Sequence, residues 1–400
     1  MMNLSKPKPL SVLMVIENYL PLPGGTERQL AALAAQLGMR HVRVEVMTEQ
    51  RRAEWPLAEE VAGIRVHRLP YPKIRRLGTG VLLLRAALFL LTQGRRFDIF
   101  HVHAVSFLAV LTVLIGRILR KAVVLKAVGG WELEQGVLNP TRRQQFLYRT
   151  MLAILRHANI WIAISTHMRR AMEAAGIPRE RIVTIPNGVD IKRFDPALNQ
   201  APYVQNGAGA PRVVFIGRLV REKALPVLLE AWTAVAQRIP GVVLDIVGWG
   251  PLEQELKVLT KHLGLTAAVR FQGYHEDVMP FLQAANVFVL PSYVEGLSNT
   301  LLEAMAVSLP VVATRISGSE DVVADGETGV LVPPGDATSL AQALSELLED
   351  PERATAMGIR ARQRVMEFCS LEQVTTSYIH LYEHLLKENG ERLCAASPAS

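Results

Sequence analysis

Cysteine is nearly missing from this chain of 400 residues: Cys369 and Cys394 are the only two. A disulfide framework and a Cys-rich zinc site are thereby excluded, and the reducing cytosol is the natural compartment. Long apolar runs are missing too. The longest uncharged stretch, 99–116, contains His101 and His103 and fits a strand followed by a helix start better than a membrane span. Near the N-terminus Lys6 and Lys8 precede the apolar run 10–16. Glu17 and Asn18 follow where a secretory signal would need small residues, so the run is read as a first buried strand. No short-period repeat is visible. What remains is ordinary globular composition, 50% hydrophobic and 20% charged with 28 Gly and 23 Pro. That excludes collagen-like, low-complexity and wholly disordered chains. Four hundred residues exceed what one core usually supports, so two domains are expected.

Acidic residues are scarce in one half. Residues 1–195 hold 29 Lys/Arg against 14 Asp/Glu, a net of +15, whereas the remainder holds 15 against 23, a net of −8. Such asymmetry points to an anionic partner for the first half. Nucleic acid, an anionic membrane and an acidic substrate all qualify by charge. No recognition motif accompanies the charge, so nucleic acid is set aside.

Short apolar runs alternate with amphipathic helical stretches. The strand expectations are 12–16, 43–47, 64–68, 99–103, 122–126, 160–164 and 182–185, then 212–216, 243–247, 269–272, 287–290, 310–313 and 329–332. Runs this apolar are buried on both faces, as in parallel sheets. Strand–helix alternation means βαβ units, so the fold class is α/β with two doubly wound, Rossmann-like domains. The expected boundaries are a first domain over 1–195, a linker over 196–211 rich in Asn, Gln, Gly and Ala, and a second domain over 212–375. A helix over 376–388 is expected to pack back toward the first domain, and 389–400 to form a tail.

Ligands of open parallel sheets bind at the carboxyl ends of the strands. Glycines and charged residues gather there: Gly24-Gly25-Thr26-Glu27 after the first strand, Gly217-Arg218 and then Lys223 after 212–216, Gly248-Trp249-Gly250 after 243–247, and Gly273-Tyr274 after 269–272. The pattern predicts a site in a cleft between two domains. Its sharpest element is Glu295-Gly296-Leu297-Ser298-Asn299-Thr300-Leu301-Leu302-Glu303. Ser298 or Asn299 can cap a helix starting there. The first turn of that helix offers N–H groups to an anion, with the helix dipole behind them. Glu295 precedes the helix and Glu303 lies about one turn inside; both would repel phosphate, so they would address sugar hydroxyls. An isolated pair of this kind is more often a capping and a solvated Glu. Arg218 and Lys223 suit a diphosphate clamp, or a surface ion pair with Glu222. Gly24-Gly25 alone reads as a turn. His101 and His103 are expected on opposite faces of their strand, with His103 the nearer to the cleft and a buried, satisfied histidine the commoner alternative.

With these residues together, the chain resembles the retaining nucleotide-sugar glycosyltransferases of the GT-B fold, family 4 (group 1). Pro186-Asn187-Gly188-Val189-Asp190 looks like the family's inter-domain signature, and 215–223 its diphosphate-binding strand and loop. Glu295 and Glu303, with seven residues between, match its E-x7-E motif, and 325–332 is also typical. The resemblance implies two Rossmann-like domains facing each other across a cleft. It implies transfer of a sugar from a nucleotide diphosphate, UDP-sugar before GDP-sugar, to an acceptor hydroxyl with retention. No strong nucleophile is evident, which implies a same-face mechanism. Arg218, Lys223 and Glu295 would be catalytic. Gly24, Gly25, Gly217, Gly273, Tyr274, Gly296, Leu297, Ser298, Asn299, Thr300 and Glu303 would join them around the donor. No metal or other cofactor is implied, in keeping with the lack of any Asp-x-Asp.

The chain departs from the family in three places. Ala224 and Ser308 stand where Gly is usual, and Lys126-Ala127-Val128-Gly129-Gly130-Trp131-Glu132 stands where many members carry a cleft His. Lys126, Glu132 and His103 are the acceptor-side substitutes. The rival readings are a nucleotide-sugar epimerase and an inactive nucleotide-binding scaffold. The basic groups Lys73, Arg75, Arg76, Arg85, Arg95 and Arg96 bracket the apolar stretch 81–91. That arrangement predicts either docking on the inner face of the plasma membrane, with a lipid-linked or saccharide acceptor, or a buried helix with solvated ends.

Overall fold

The structure, a computed structural model, describes residues 9–22, 24–71, 78–129, 132–133, 136–198 and 210–395, the side chains of 389–395 excepted. It divides into two compact units, residues 1–186 with 374–400, and residues 187–373.

In unit 1 the sheet has eight strands: β1 (Ser11–Val15), β2 (Arg43–Gln50), β3 (Ala58–Val61), β4 (Ile64–Pro70), β5 (Ile99–His103), β6 (Ala122–Lys126), β7 (Ile160–Ala163) and β8 (Ile182–Thr184). Their order is β3-β4-β2-β1-β5-β6-β7-β8. Every residue of β1, β5 and β6 is buried, which is why these strands read as unbroken apolar runs. β3 was not anticipated. Its sequence, Ala-Glu-Glu-Val, has no apolar run, and it pairs antiparallel with β4 through a turn at Ala62 (φ 50°) and Gly63 (φ 78°). A charged edge strand of this kind discourages pairing with other chains.

Unit 2 has six strands, all parallel: β9 (Arg212–Ile216), β10 (Val243–Val247), β11 (Val269–Gly273), β12 (Val287–Leu290), β13 (Val311–Thr314) and β14 (Val330–Val332). The order β11-β10-β9-β12-β13-β14 reverses direction at β9. Loops after β9 and β12 therefore diverge from a crevice at the carboxyl edge, where such sheets bind ligands.

The boundaries differ from the sequence expectation. Residues 187–198 belong to unit 2. Val189 pairs with the backbone around Cys369 and Leu371, and the Arg362 guanidinium donates to Phe194 O (2.8 Å) and to Ala306 O. Of the expected linker, 199–209 lies outside the described residues. The C-terminal helix is longer than expected, Leu371–Ala395, and its backbone runs into the expected tail; 396–400 lie outside the described residues. From residue 374 on it belongs to unit 1, where Val374, Tyr378, Tyr382 and Leu385 join Val12, Met14, Leu33 and Val124 in one core.

Candidate active site

The carboxyl edge of unit 2 is assembled by close backbone approaches. Gly248 follows β10 at φ 138°, and a Cβ there would fall 1.9 Å from Gly217 O. A Cβ on Gly318 would fall 2.2 Å from Gly296 O. These two glycines let neighbouring loops touch where side chains would separate them. Tyr293 N donates to Glu222 O (2.8 Å), joining the loop after β12 to the loop after β9.

The helix Asn299–Ala306 starts on that edge. Ser298 is its cap, accepting the Leu301 N–H (3.4 Å), while Thr300 Oγ1 donates to Ile216 O (3.0 Å) at the end of β9. Asn187 Nδ2 donates to Leu297 O (3.2 Å) and to Asn299 Oδ1 (2.9 Å). The Pro186-Asn187-Gly188 motif thus braces the loop that presents the helix start, a role its sequence position, 110 residues away, does not announce.

Lys223 and Glu295, given separate duties by the resemblance, pair with one another: Lys223 Nζ donates to Glu295 Oε1, and both side chains are about 15% exposed. Ser292 Oγ donates to the same carboxylate oxygen (3.0 Å), a partner the sequence reading missed. Arg218 is exposed, and neither it nor Glu222 enters an ion pair among the described residues, so the surface pair considered from sequence is not formed. Glu303 lies half-buried one turn along the helix from Asn299. Gly273 takes φ 76° at the end of β11, followed by the half-exposed Tyr274. This part of the edge joins one cation and one carboxylate, Lys223 and Glu295, beside a capped helix start, with Arg218 on the loop after β9 and Glu303 one turn into the helix; groups of these kinds can neutralise a diphosphate and hold hydroxyls.

Ala224 and Ser308, where the family usually has Gly, both have left-handed backbone, with φ 49° and 63°. Gly is at ease there and other residues are strained.

In unit 1 Gly24 caps the helix Gly25–Met39, without a side-chain cap bond. The histidine expectation needs correction. Residues two apart on a strand share a face, and the His101 and His103 rings lie 4.2 Å apart. Both are buried, as is Lys126 at the paired position on β6. His101 Nδ1 bonds the Tyr382 hydroxyl (2.7 Å), and Lys126 Nζ sits 5.7 Å from the centre of the Tyr378 ring. Burial first, and the nearby Lys126 charge, hold both histidines well below the usual imidazole range; burial brings Lys126 down to about 8. Glu132 is buried too, accepting the N–H groups of Val128 (3.1 Å) and Gly129 (3.0 Å), and burial outweighs those bonds to push its carboxyl up. The three acceptor-side substitutes are thus interior groups of unit 1.

Comparison with known proteins agrees with this architecture. Residues 204–364 match the family "Glycosyl transferases group 1", and 23–193 match "Glycosyltransferase Family 4". The lipopolysaccharide core biosynthesis glycosyltransferase LpsE of Rhizobium meliloti is 33% identical over 236 residues, 58% of this chain and 67% of LpsE. A GDP-mannose-dependent phosphatidylinositol monomannoside mannosyltransferase of Mycolicibacterium smegmatis is 34% identical over 222 residues, 52% of this chain and 58% of that protein. The chain thus spans between about half and two thirds of the length of the curated relatives it matches. Among solved structures, Anabaena HepE in complex with UDP aligns with TM-score 0.75 at 21% identity, covering 94% of this chain and all of HepE. Sucrose-phosphate synthase from Thermosynechococcus elongatus gives 0.77 at 24%, covering 95% of this chain and all of that one. The chain belongs to the group 1 (family 4) glycosyltransferases and has their GT-B fold.

Proposed function

We propose that this protein transfers a sugar from a nucleotide diphosphate sugar to an acceptor hydroxyl, with retention, in cell-surface polysaccharide or glycolipid synthesis. The observation that carries the reading is the Lys223–Glu295 pair beside the Ser298-capped helix, with exposed Arg218 on the adjoining loop. Lys223, held by Glu295, is poised to exchange that partner for a diphosphate, and Arg218 to close on it from solvent. Cations aimed at the leaving diphosphate stabilise the charge that develops as the sugar departs. Glu295, released from Lys223, would accept hydroxyls of the donor sugar, and Glu303 those of the ribose. With no nucleophile assigned, the diphosphate itself takes the acceptor's proton on the face it leaves. Gly24, Gly25, Gly273 and Tyr274 are kept as donor residues on the family pattern. HepE's complexes with UDP and UDP-glucose favour uridine, whereas the GDP-mannose-dependent relatives keep guanosine in view. No metal is required in this reading, and turnover unchanged by a chelator is its check. A thermal-shift screen of UDP, GDP, ADP and their sugars tests the donor, since a ligand of the native state raises the melting temperature. No shift with any of them, or an isomerised donor sugar without transfer, overturns the proposal.

The same reading places the protein on the anionic cytoplasmic leaflet. No helix among the described residues is long and apolar enough to cross a membrane. The helix Gly78–Gln93 instead buries Leu82, Ala86 and Leu90 and exposes Leu84, Leu88 and Leu91. The neighbouring helices Phe107–Ile118 and Phe146–Leu155 expose Leu114, Ile118, Phe146 and Leu147. None of the three carries a carboxylate, whereas Arg85, Arg117 and Arg149 lie on them and Arg95, Arg96 and Arg120 follow. Lys73, Arg75 and Arg76 lie outside the described residues. Each basic group near such a surface adds about 1 kcal/mol. Co-sedimentation with anionic but not neutral vesicles, lost in high salt, is the expected result; no binding at low salt removes the membrane.

A further inference from the structure

β4 carries an arginine that none of these roles uses. Arg68 is 2% exposed, and its side chain is sealed from solvent. Its Nε and Nη2 share Glu59 Oε1 (2.6 and 2.5 Å), Nη2 also donates to Leu20 O (2.6 Å), and the guanidinium lies 4.8 Å from the centre of the Trp55 ring. Nη1 makes no hydrogen bond. Three segments apart in sequence thus meet on one side chain: β3 through Glu59, the loop after β2 through Trp55, and the loop after β1 through Leu20.

Stability alone does not account for this arrangement. A charge taken out of water loses its hydration, and a single ion pair offsets that loss only when the remaining donors are satisfied. Here Nη1 goes without a partner, and the Glu59 side chain is itself 29% exposed. An apolar side chain of similar volume would fill the space without that cost. It could not, however, supply the bond to Leu20 O.

The segment held by that bond leads to Gly24. Glu17 O accepts from Thr48 Oγ1 (3.0 Å) and from the Glu49 N–H (3.1 Å), and Arg51 Nε donates to Asn18 Oδ1 (2.7 Å), so β2 and the residue after it fix the start of the loop. Tyr19 is 1% exposed and packs in the core with Leu30 and Leu33. Arg68 takes the next residue, Leu20, four positions before Gly24. The Leu22 N–H returns to Tyr19 O (3.2 Å), and the sequence has Pro at 21 and 23, whose ring restricts φ. With so little torsional freedom in between, fixing Leu20 fixes where Gly24 and Gly25 open the helix Gly25–Met39.

We infer that Arg68 is a positioning residue for the transfer reaction: through Leu20 it holds the loop that carries Gly24 and Gly25, the residues assigned above to the donor. The inference rests on that assignment. It also accounts for β3, the strand that no apolar run announced, since β3 supplies the carboxylate that keeps the Arg68 charge in the interior. A contact of this kind acts on transition-state geometry more than on nucleotide binding, because misplacing a group by about 1 Å can cost roughly 100-fold in rate.

Two variants of the full chain separate positioning from stability. Arg68→Met removes the bond to Leu20 O. It is expected to lower kcat roughly tenfold to 100-fold per molecule that binds nucleotide, with the melting-temperature rise on UDP or GDP unchanged. Amide hydrogen exchange across 19–22 is expected to quicken by about tenfold or more. Glu59→Gln keeps an oxygen acceptor for Nε and removes only the counter-charge. It is expected to lower the melting temperature by about 5 °C while kcat and exchange across 19–22 stay native. Native kcat per nucleotide-binding molecule in Arg68→Met, the result of a merely structural role, overturns the inference, as does native exchange across 19–22. If Arg68→Met fails to fold, Pro21→Gly decides: Pro21 is exposed, and loosening the link there is expected to lower kcat roughly tenfold, so native kcat overturns the inference. Native protein that binds nucleotide and turns over no nucleotide sugar overturns the transferase reading instead, and quickened exchange in Arg68→Met then leaves Arg68 as the anchor of the loop.

Discussion

The two units build the same edge of the same kind of sheet and treat charge there in opposite ways. At the carboxyl edge of unit 2, Arg218 is exposed and Lys223 shares a hydrogen bond with Glu295, each side chain about 15% exposed. At the carboxyl edge of unit 1, His103 and Lys126 end adjacent strands and are closed over, with Tyr378 and Tyr382 of the C-terminal helix packed against the same cluster. A charge on a loop that solvent reaches can meet a ligand. One sealed in apolar surroundings is driven toward its neutral form. The comparison teaches that strand-end position alone does not make a residue functional; the elements laid over it decide.

The sharpest way to break this contrast is to remove a cation from each edge. Arg218→Ala or Lys223→Ala is expected to lower turnover by roughly 100-fold or more, the scale seen when a donor to developing charge is lost, with little change in melting temperature for exposed Arg218. Lys126→Met is expected to leave nucleotide-dependent stabilisation intact. Turnover measured on purified protein decides; near-normal rates in both unit 2 variants would sink the assignment.

The two glutamates should then separate. Glu303→Ala is expected to weaken binding of nucleoside diphosphate itself, whereas Glu295→Ala spares the diphosphate and weakens the intact donor. The ion pair adds a condition: Glu295→Ala also frees Lys223, so its diphosphate affinity is expected to stay level or rise. Calorimetry with both ligands on both variants measures the split, and equal losses throughout refute it.

How much of this was legible beforehand follows from what each feature depends on. Strands such as 99–103, 122–126 and 287–290 were readable to the residue because burial on both faces imposes an apolar run. β3 was not, because an edge strand needs no such run and carries Glu59 and Glu60 instead. The cap was readable as one of two candidates, Ser298 or Asn299, and the structure uses Ser298. The Lys223–Glu295 pair was not, since it joins positions 72 residues apart through the switch in strand order at β9. Glu17, Glu49, Tyr71 and Phe107, which line a pocket at the carboxyl edge of the first sheet, had no motif to announce them; only the sheet collects them. The burial of His103 and Lys126 depends on Tyr378 and Tyr382, more than 250 residues later.

A smaller effect is expected from pH. His101 and His103 have folded pKa values well below 6.5, with Lys126, Tyr378 and Tyr382 facing them, so the unfolded chain takes up protons that the folded chain refuses. Stability therefore falls as pH drops below about 6.5, by up to about 1.4 kcal/mol per pH unit for each histidine. Lys126 acts in the same direction between its folded value of about 8 and its ordinary 10.5. Glu49 opposes, because a raised carboxyl value costs stability as pH climbs from 4.5 toward 7. Comparing urea unfolding of the native protein and His103→Gln across pH 5–7 isolates the histidine: the slope is expected to lose about one proton. An unchanged slope would show that His103 titrates normally.

The smallest expected effect concerns strain that both units place at this edge. Ala104 follows β5 at φ 81°, and Ala224 precedes the helix Leu225–Arg238 at φ 49°. An L-residue in left-handed backbone costs roughly 1–2 kcal/mol relative to Gly, while Gly gives back part of that through unfolded-chain entropy. Ala104→Gly and Ala224→Gly are each expected to stabilise by about 0.5–1 kcal/mol. Ala231→Gly, inside the same helix that Ala224 begins, is expected to destabilise by about 1 kcal/mol. Urea midpoints at constant slope provide the measurement. If Ala224→Gly destabilises as Ala231→Gly does, the left-handed residue is not strained, and the family's preference for Gly after the lysine would reflect room for a ligand at the loop rather than backbone conformation. If only Ala224→Gly stabilises, the strain belongs to the donor edge of unit 2 alone, and the two edges differ in backbone as well as in charge.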